Sequence, residues 1–347
     1  MCKHFHNAIV LPFKRCGNRY VGGITDSCGN FIKQSRFNFQ DGGKYLIDKE
    51  NIKRETKVSV FIAGLLYPAW GHTFTDNVKY LWWLLSDEFK RLKESGIRVQ
   101  LVCIKSAKIE NLTSLQRTLE WLGIKEEVVL VDEPTIFSDL YFPSPCLEPG
   151  DKGERYWSLE YKALINTIKE NILRGQTLTT TPKRVYFSRT QIARKRDFGE
   201  QYVEEAFRRA GYYIYHPEKL PITEQVKILS NCEIFCSTEG SIGHNAMFLT
   251  DGGTAVIIRK ANYINPYQIT IGEMKQLNTI LIDANKSFLN NKKNPMIGPF
   301  FIYINRHLAD FLHQKKVFPI SEFLRYIRWS IFHRDIILRI FAKRDFL

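Results

Sequence analysis

The chain has 347 residues, with 50 Lys and Arg against 36 Asp and Glu, a formal charge of +14. At about 100–200 residues per domain the length predicts two domains, and a hydrophobic content of 44% with 13% aromatics excludes a largely disordered chain. Positive charge is mildly concentrated over 183–211 (eight basic and four acidic residues) and 320–347 (six basic and three acidic). No helix-turn-helix, RNA-recognition or zinc-finger pattern accompanies it, which argues against nucleic acid and for anionic small ligands or lipid head groups. The seven cysteines (Cys2, Cys16, Cys28, Cys103, Cys146, Cys232 and Cys236) form no CxxC pair, and no His/Cys cluster has the spacing of a zinc site. Reduced thiols in a cytosolic protein are expected. The N-terminal apolar run is too short for a secretory signal. The longest uncharged stretch, 58–75, carries Gly64, Pro68, Gly71 and His72 and predicts a buried strand and turn, because a spanning helix needs about 20 mainly apolar residues.

The first 50 residues, with runs such as "NAIVLPF" and "RYVGGITD", predict short strands and hairpin turns. "KVSVFIAG" predicts a buried strand. From Thr75 the period changes, and Val78, Trp82, Leu85, Phe89 and Leu92 predict one amphipathic helix ending near Gly96. Strand "RVQLVCI", helix "NLTSLQRTLEWLG" and strand "EEVVLV" follow, then an irregular extended piece, "FSDLYFPSP", and a long helix through Tyr161, Leu164, Ile165, Ile168 and Ile172. This alternation predicts a parallel α/β domain over 1–175. The segment 176–183, threonine-rich with no core pattern, is the expected linker. After it come strand "RVYFS", helix 199–210, strand "YYIYHP", helix "ITEQVKILSN", strand "EIFCST", a helix from Ser241, and strands "TAVIIR" and "TILID". They predict a second α/β domain of nucleotide-binding type over 184–300, with C-terminal helices over 301–347. Two Rossmann-like halves predict a ligand in the cleft between them.

Three features carry chemistry. In "EIFCSTEGSIGHNAMFL" a strand ends at Ser237–Thr238, Gly240 and Gly243 follow, and a helix begins. Backbone N–H groups at such a start, unshielded where glycine lacks a Cβ, suit phosphate oxygens, and Ser241 and Asn245 can add side-chain bonds. A tight turn with Ser241 as N-cap explains the same residues structurally. In "RVYFSRTQIARKRDFGE" a strand ends in Ser188–Arg189, and a basic loop with Arg194, Lys195 and Arg196 precedes a helix. Loops at the carboxyl ends of parallel strands face one crevice, so Arg189 and the Gly240 turn are expected to converge. Guanidinium groups bind diphosphates by paired hydrogen bonds. In "AWGHTFTDNVKYLWW", His72 and Asp76 are four apart and can share a helical face, where either can take a proton from an acceptor hydroxyl. Thr75 or Asp76 as an N-cap is the structural alternative.

From about Asn7 to Lys260 the chain resembles glycosyltransferase family 61, in its bacterial branch associated with capsular and other surface polysaccharides. The matching pieces are "GHTFTDN", "RVYFSR" with Arg196 and Glu200 downstream, and "PITEQVKILSNCEIFCSTEGSIGHNAMF". The resemblance implies a GT-B-like fold and an inverting transfer from a nucleotide sugar to a glycan or lipid-linked glycan. Many members carry His-Gly-Ala where this chain has Glu239–Gly240–Ser241, which makes Glu239 a third candidate for a base or a sugar contact. Asp76 is placed ahead of His72 as the base. Arg189, Arg196, Gly240, Ser241, Gly243, His244 and Asn245 form the expected donor side. No Asp-x-Asp motif occurs in the chain, so neither a metal nor another cofactor is expected, the cationic loop and helix start doing the metal's electrostatic work. The alternative from another class is a non-catalytic nucleotide- or glycan-binding module of a polysaccharide assembly complex. In the last segment Phe323, Leu324, Ile327, Ile331, Leu338 and Phe341 share a helical face beside Arg325, Arg328, Arg339 and Lys343. Such a helix suits packing against the N-terminal domain or an anionic membrane surface, which places the protein in the cytoplasm, peripheral at the inner face of the cell membrane.

Overall fold

The computed structural model describes residues 1–17, 19–36, 42–48, 52–65, 70–105, 113–148, 156–176, 182–192, 197–261, 264–285, 300–313 and 331. Two units divide the chain, Met1–Ile172 and Leu173–Leu347.

In the first unit, β1 (Cys2–Cys16) and β2 (Arg19–Thr25) form an antiparallel hairpin, and β3 (Lys53–Glu55) and β4 (Val58–Leu65) follow. A helical run begins as α1 (Trp70–His72), widens to a π-type turn over Thr73–Asn77 and tightens to a 3-10 stretch over Val78–Leu85. Then come α2 (Asp87–Glu94), β5 (Val99–Ile104), α3 (Thr113–Trp121), β6 (Glu127–Val131), β7 (Thr135–Pro143), the short pair β8 (Leu147–Glu148) and β9 (Tyr156–Trp157), and α4 (Leu159–Leu173). The sheet runs β2-β1-β7-β4-β5-β6, with β3 also on β7. It differs from the expected parallel sheet in being mixed: β1 runs antiparallel to β7, whereas β4, β5 and β6 run parallel.

The irregular "FSDLYFPSP" is the centre of this sheet. Its alternation fails at Ser138–Asp139, where both β7 and β1 change the face they turn to the core. Phe137 and Leu140 belong to one core cluster, as do Ala8 and, at its edge, Phe5. Residues three apart point to opposite faces of a regular strand. Asn7, at φ +53°, makes the switch in β1, a conformation that asparagine tolerates better than most residues. The single helix expected from Thr75 is likewise broken. Ser86 is extended (φ −75°, ψ 156°), its Oγ accepts the Phe89 N–H at 3.2 Å, and Asp87 and Glu88 meet the new helix dipole.

The second unit contains β10 (Arg184–Phe187), β11 (Asp197–Phe198), α5 (Glu200–Arg209), β12 (Tyr213–Tyr215), α6 (Ile222–Asn231), β13 (Ile234–Thr238), a 3-10 helix over Ser241–Phe248, β14 (Thr254–Arg259), α7 (Pro266–Met274), β15 (Asn278–Asp283), β16 (Phe300–Phe301) and α8 (Arg306–Phe311). Its main sheet, β12-β10-β13-β14-β15, is parallel throughout. In chain order the strands read 2-1-3-4-5, so the winding reverses between β10 and β13. Tyr186, Cys236, Val256 and Ile258 pack against Val203 and Phe207 of α5 and Leu308 of α8 in one core. The unit therefore continues beyond the expected boundary at 300, and α8 lies on its sheet.

Most of the expected linker (177–181) lies outside the described residues, as does the amphipathic segment 320–347 except for Ile331. Among the described residues no helix is long and apolar enough to cross a membrane.

Candidate functional site

In open parallel sheets, ligands bind beyond the carboxyl ends of strands where the winding reverses. Here that point lies between β10 and β13, whose following loops carry Arg189 and Gly240. Gly240 takes φ +123°, a conformation that disfavours other residues, and a Cβ there would stand 3.7 Å from Lys260 Nζ and 3.8 Å from Arg189 Nη1. Two cations thus flank the turn. Its carbonyl accepts the Gly243 N–H and the Gln268 side-chain N–H, both at 2.9 Å. A Cβ at Gly243 would run into the Gln268 amide, which would have to leave the Gly240 carbonyl. Just before the turn, the hydroxyls of Ser237 and Thr238 are buried without a hydrogen-bond partner.

Asp197 bridges the cations, with Lys260 Nζ at 3.2 Å and Arg189 Nη1 at 3.3 Å. Arg189 also donates its backbone N–H to Glu200 Oε1 at 3.1 Å, and that oxygen accepts the Tyr186 hydroxyl at 3.0 Å. The Arg189 side chain is one-third exposed (33%), so the fork keeps donors open while one is held by Asp197. Burial, and then the Asp197 charge, push the Glu200 carboxyl up to about 7. Burial pushes the Lys260 ammonium down, against the pull of Asp197. The Glu239 carboxyl is also pushed up by burial. Its oxygens accept backbone N–H groups of Lys260 (3.3 Å) and Asn265 (3.1 Å).

Of the expected donor residues, the structure brings Arg189, Gly240, Ser241 and Gly243 together. Ser241 is exposed, whereas His244 and Asn245 are buried. Asn245 Nδ2 lies 3.5 Å from Gln225 Oε1 on α6, and the His244 ring stands edge-on to Tyr267 at 6.0 Å. His244 is 6% exposed and Asn245 2%. Arg194, Lys195 and Arg196 lie outside the described residues. Sequence reasoning missed Lys260 and Asp197, and took Glu200 only as part of a matching motif. Lys260 follows a parallel strand directly, which is the signal that could have found it.

In the first unit His72 ends α1 and Asp76 lies in the π-type turn that follows it. Thr75 Oγ1 donates to the Gly71 carbonyl at 3.1 Å, and the Tyr161 hydroxyl to the Phe74 carbonyl at 3.2 Å, which fix the widened turn. Such turns recur at functional sites. His72 Nδ1 lies 2.5 Å from Asp76 Oδ2, with the histidine side chain 46% exposed and the aspartate 12%. This hydrogen bond raises the His72 pKa against an opposing effect of burial.

No curated protein matches the chain. Among solved structures it is similar to the bacterial iron-containing dodecameric glycosyltransferase TibC of enterotoxigenic E. coli, with 14% identity over 65% of this chain and 67% of that one. The TM-score is 0.26, a level of superposition that does not equate the two folds. The model of the glycosyltransferase 61 family matches residues 70–257, a span that takes in the His72/Asp76 turn, Arg189 and the Gly240 turn. That is more than half of the chain, which therefore belongs to glycosyltransferase family 61.

Proposed function

We propose that this glycosyltransferase inverts the anomeric centre as it moves a sugar from a nucleotide-sugar donor to a hydroxyl of a glycan, in the synthesis of a bacterial surface polysaccharide. The carrying observation is the pair of cations, Arg189 and Lys260, flanking the Gly240 turn where the parallel sheet reverses its winding. Both α/β units are taken as GT-B-type halves, the first with added antiparallel strands. Arg189, Lys260, Arg196 and the N–H groups at the Gly240 turn would hold the donor diphosphate and neutralise charge as the nucleotide departs. Positive side chains there and the lack of an Asp-x-Asp motif support transfer without a divalent ion at the donor.

The first unit supplies the base. Asp76 accepting at Nδ1 fixes the ring of His72 and stabilises its protonated form, so His72 Nε2 is the atom that takes the acceptor proton. This order reverses the sequence-based preference for Asp76, because the carboxylate is the more buried partner and the imidazole the more exposed. In-line attack of the acceptor oxygen on the anomeric carbon then breaks the bond to the diphosphate. Glu239, bound by two backbone N–H groups, positions the loop of Lys260. The basic amphipathic pattern over 320–347 supports a lipid-linked acceptor and work at the cytoplasmic membrane face. A screen of nucleotide sugars for donor hydrolysis and transfer, with Arg189→Ala beside the wild type, tests the reading. Absence of any nucleotide-sugar binding by the wild-type protein would overturn it.

A further inference from the structure

The first strand carries a second cluster that the transferase reading does not use. His4 and His6 alternate onto one face of β1, and in β7 they pair with Tyr141 and Asp139. Since Phe5 meets the core cluster, both histidines point away from it. His4 Nε2 lies 3.1 Å and His6 Nδ1 3.0 Å from the same oxygen, Asp139 Oδ1. All three ligand-type atoms fall within 4.8 Å of one another.

We propose that His4, His6 and Asp139 form a binding site for a divalent transition ion of zinc type, which clips the first strand to the centre of its sheet. Two imidazole nitrogens and one carboxylate oxygen are a donor set that zinc favours, with bonds of about 2.0–2.1 Å and a fourth position left to water. Tetrahedral ligands at such bonds stand about 3.3 Å apart, so the two N-to-O gaps already match the edges of the polyhedron. The site is also held in place. The His4 ring stacks on Tyr141 at 4.2 Å and 7°, and Tyr141 in turn stacks on the buried Trp83 at 4.9 Å and 20°. Asn7, at φ +53° beside His6, is the left-handed residue that turns both imidazoles to this face. Rings oriented before the ion arrives lose less entropy on binding it. No local spacing announces the site, because its carboxylate is 133 residues from His6 and 135 from His4.

The test is titration of the full chain with zinc and with cobalt(II), whose visible spectrum reports a four-coordinate nitrogen and oxygen site. Saturable binding of one ion is expected, together with slower amide exchange along β1 when the ion is bound. His6→Ala, at an exposed position, and Asp139→Asn, at a half-buried one, are each expected to weaken binding at least tenfold and to remove the cobalt spectrum. His72→Ala should leave both unchanged. Failure of zinc to bind saturably, or wild-type affinity in either His6→Ala or Asp139→Asn, would overturn the assignment, the second outcome placing the ion elsewhere.

Discussion

Replacing Glu200 by Gln should change how stability responds to pH. The carboxyl is 1% exposed, and its Oε1 accepts from the Tyr186 hydroxyl and the Arg189 N–H. Burial and the neighbouring Asp197 raise its pKa from 4.5 to about 7. The unfolded carboxyl loses its proton near 4.5 while the folded one keeps it to about 7. Between those values the folded state binds more protons, so the free energy of unfolding falls as pH rises. A difference of about 2.5 units, at roughly 1.4 kcal/mol each, amounts to about 3 kcal/mol lost once both states are ionised. Glutamine keeps a carbonyl oxygen for both donors and never ionises. Glu200→Gln should therefore match the wild type near pH 4.5 and exceed it by about 3 kcal/mol near pH 8. Urea unfolding at a series of pH values measures this gap. His72, whose pKa is raised by Asp76, slopes the wild-type curve in the same direction. It is present in both proteins and cancels from the difference. A difference curve flat across this range would refute a proton held by burial at Glu200.

Arg189→Ala should weaken binding of a free nucleoside diphosphate by about 2 kcal/mol, roughly thirtyfold; unchanged affinity by calorimetry would remove Arg189 from the donor site. His72→Ala should slow transfer at least about 100-fold with donor affinity unaltered, and Asp76→Asn should slow it by disordering the imidazole; a fully active His72→Ala enzyme rules out the base. Gly243→Ala runs a Cβ into the Gln268 amide and should cost about 1–3 kcal/mol of stability in thermal melts, whereas an unshifted melt would mean that Gln268 moves aside freely.

The second unit was legible because its local and global patterns agree. Each strand is a short apolar run, and the helix expected from "ITEQVKILSN" has the bounds of α6, Ile222–Asn231. Arg189 and Gly240 could be paired from sequence because both leave the carboxyl ends of parallel strands. The first unit resisted the same reading. Asn7 and the Ser138–Asp139 step interrupt alternation in two paired strands at once, so neither shows a continuous period. The apolar spacing from Val78 to Leu92 ran straight through Ser86 because apolar spacing carries no trace of its extended backbone. Lys260, one residue past strand "TAVIIR", was not singled out from sequence. Its burial follows from Asp197, 63 residues away in the chain, and from Glu239, neither of which a local pattern reveals.

Glu239, at a position where the family resemblance implies histidine in many members, supports the Gly240 turn through backbone groups. Glu239 is 3% exposed, and its two oxygens are taken by the N–H groups of Lys260 and Asn265. Asn265 caps α7, whose Gln268 holds the Gly240 carbonyl. One carboxylate thereby ties the end of β14, the start of α7 and the Gly240 turn together, and sets Lys260 Nζ beside that turn. Two N–H bonds leave lone pairs on the carboxylate, so what keeps Glu239 from acting as a general base is its 3% exposure, which closes it to a hydroxyl. A neutral histidine offers a single acceptor nitrogen. Glu239→His should therefore leave one of the two N–H groups without its acceptor and lower the thermal melt.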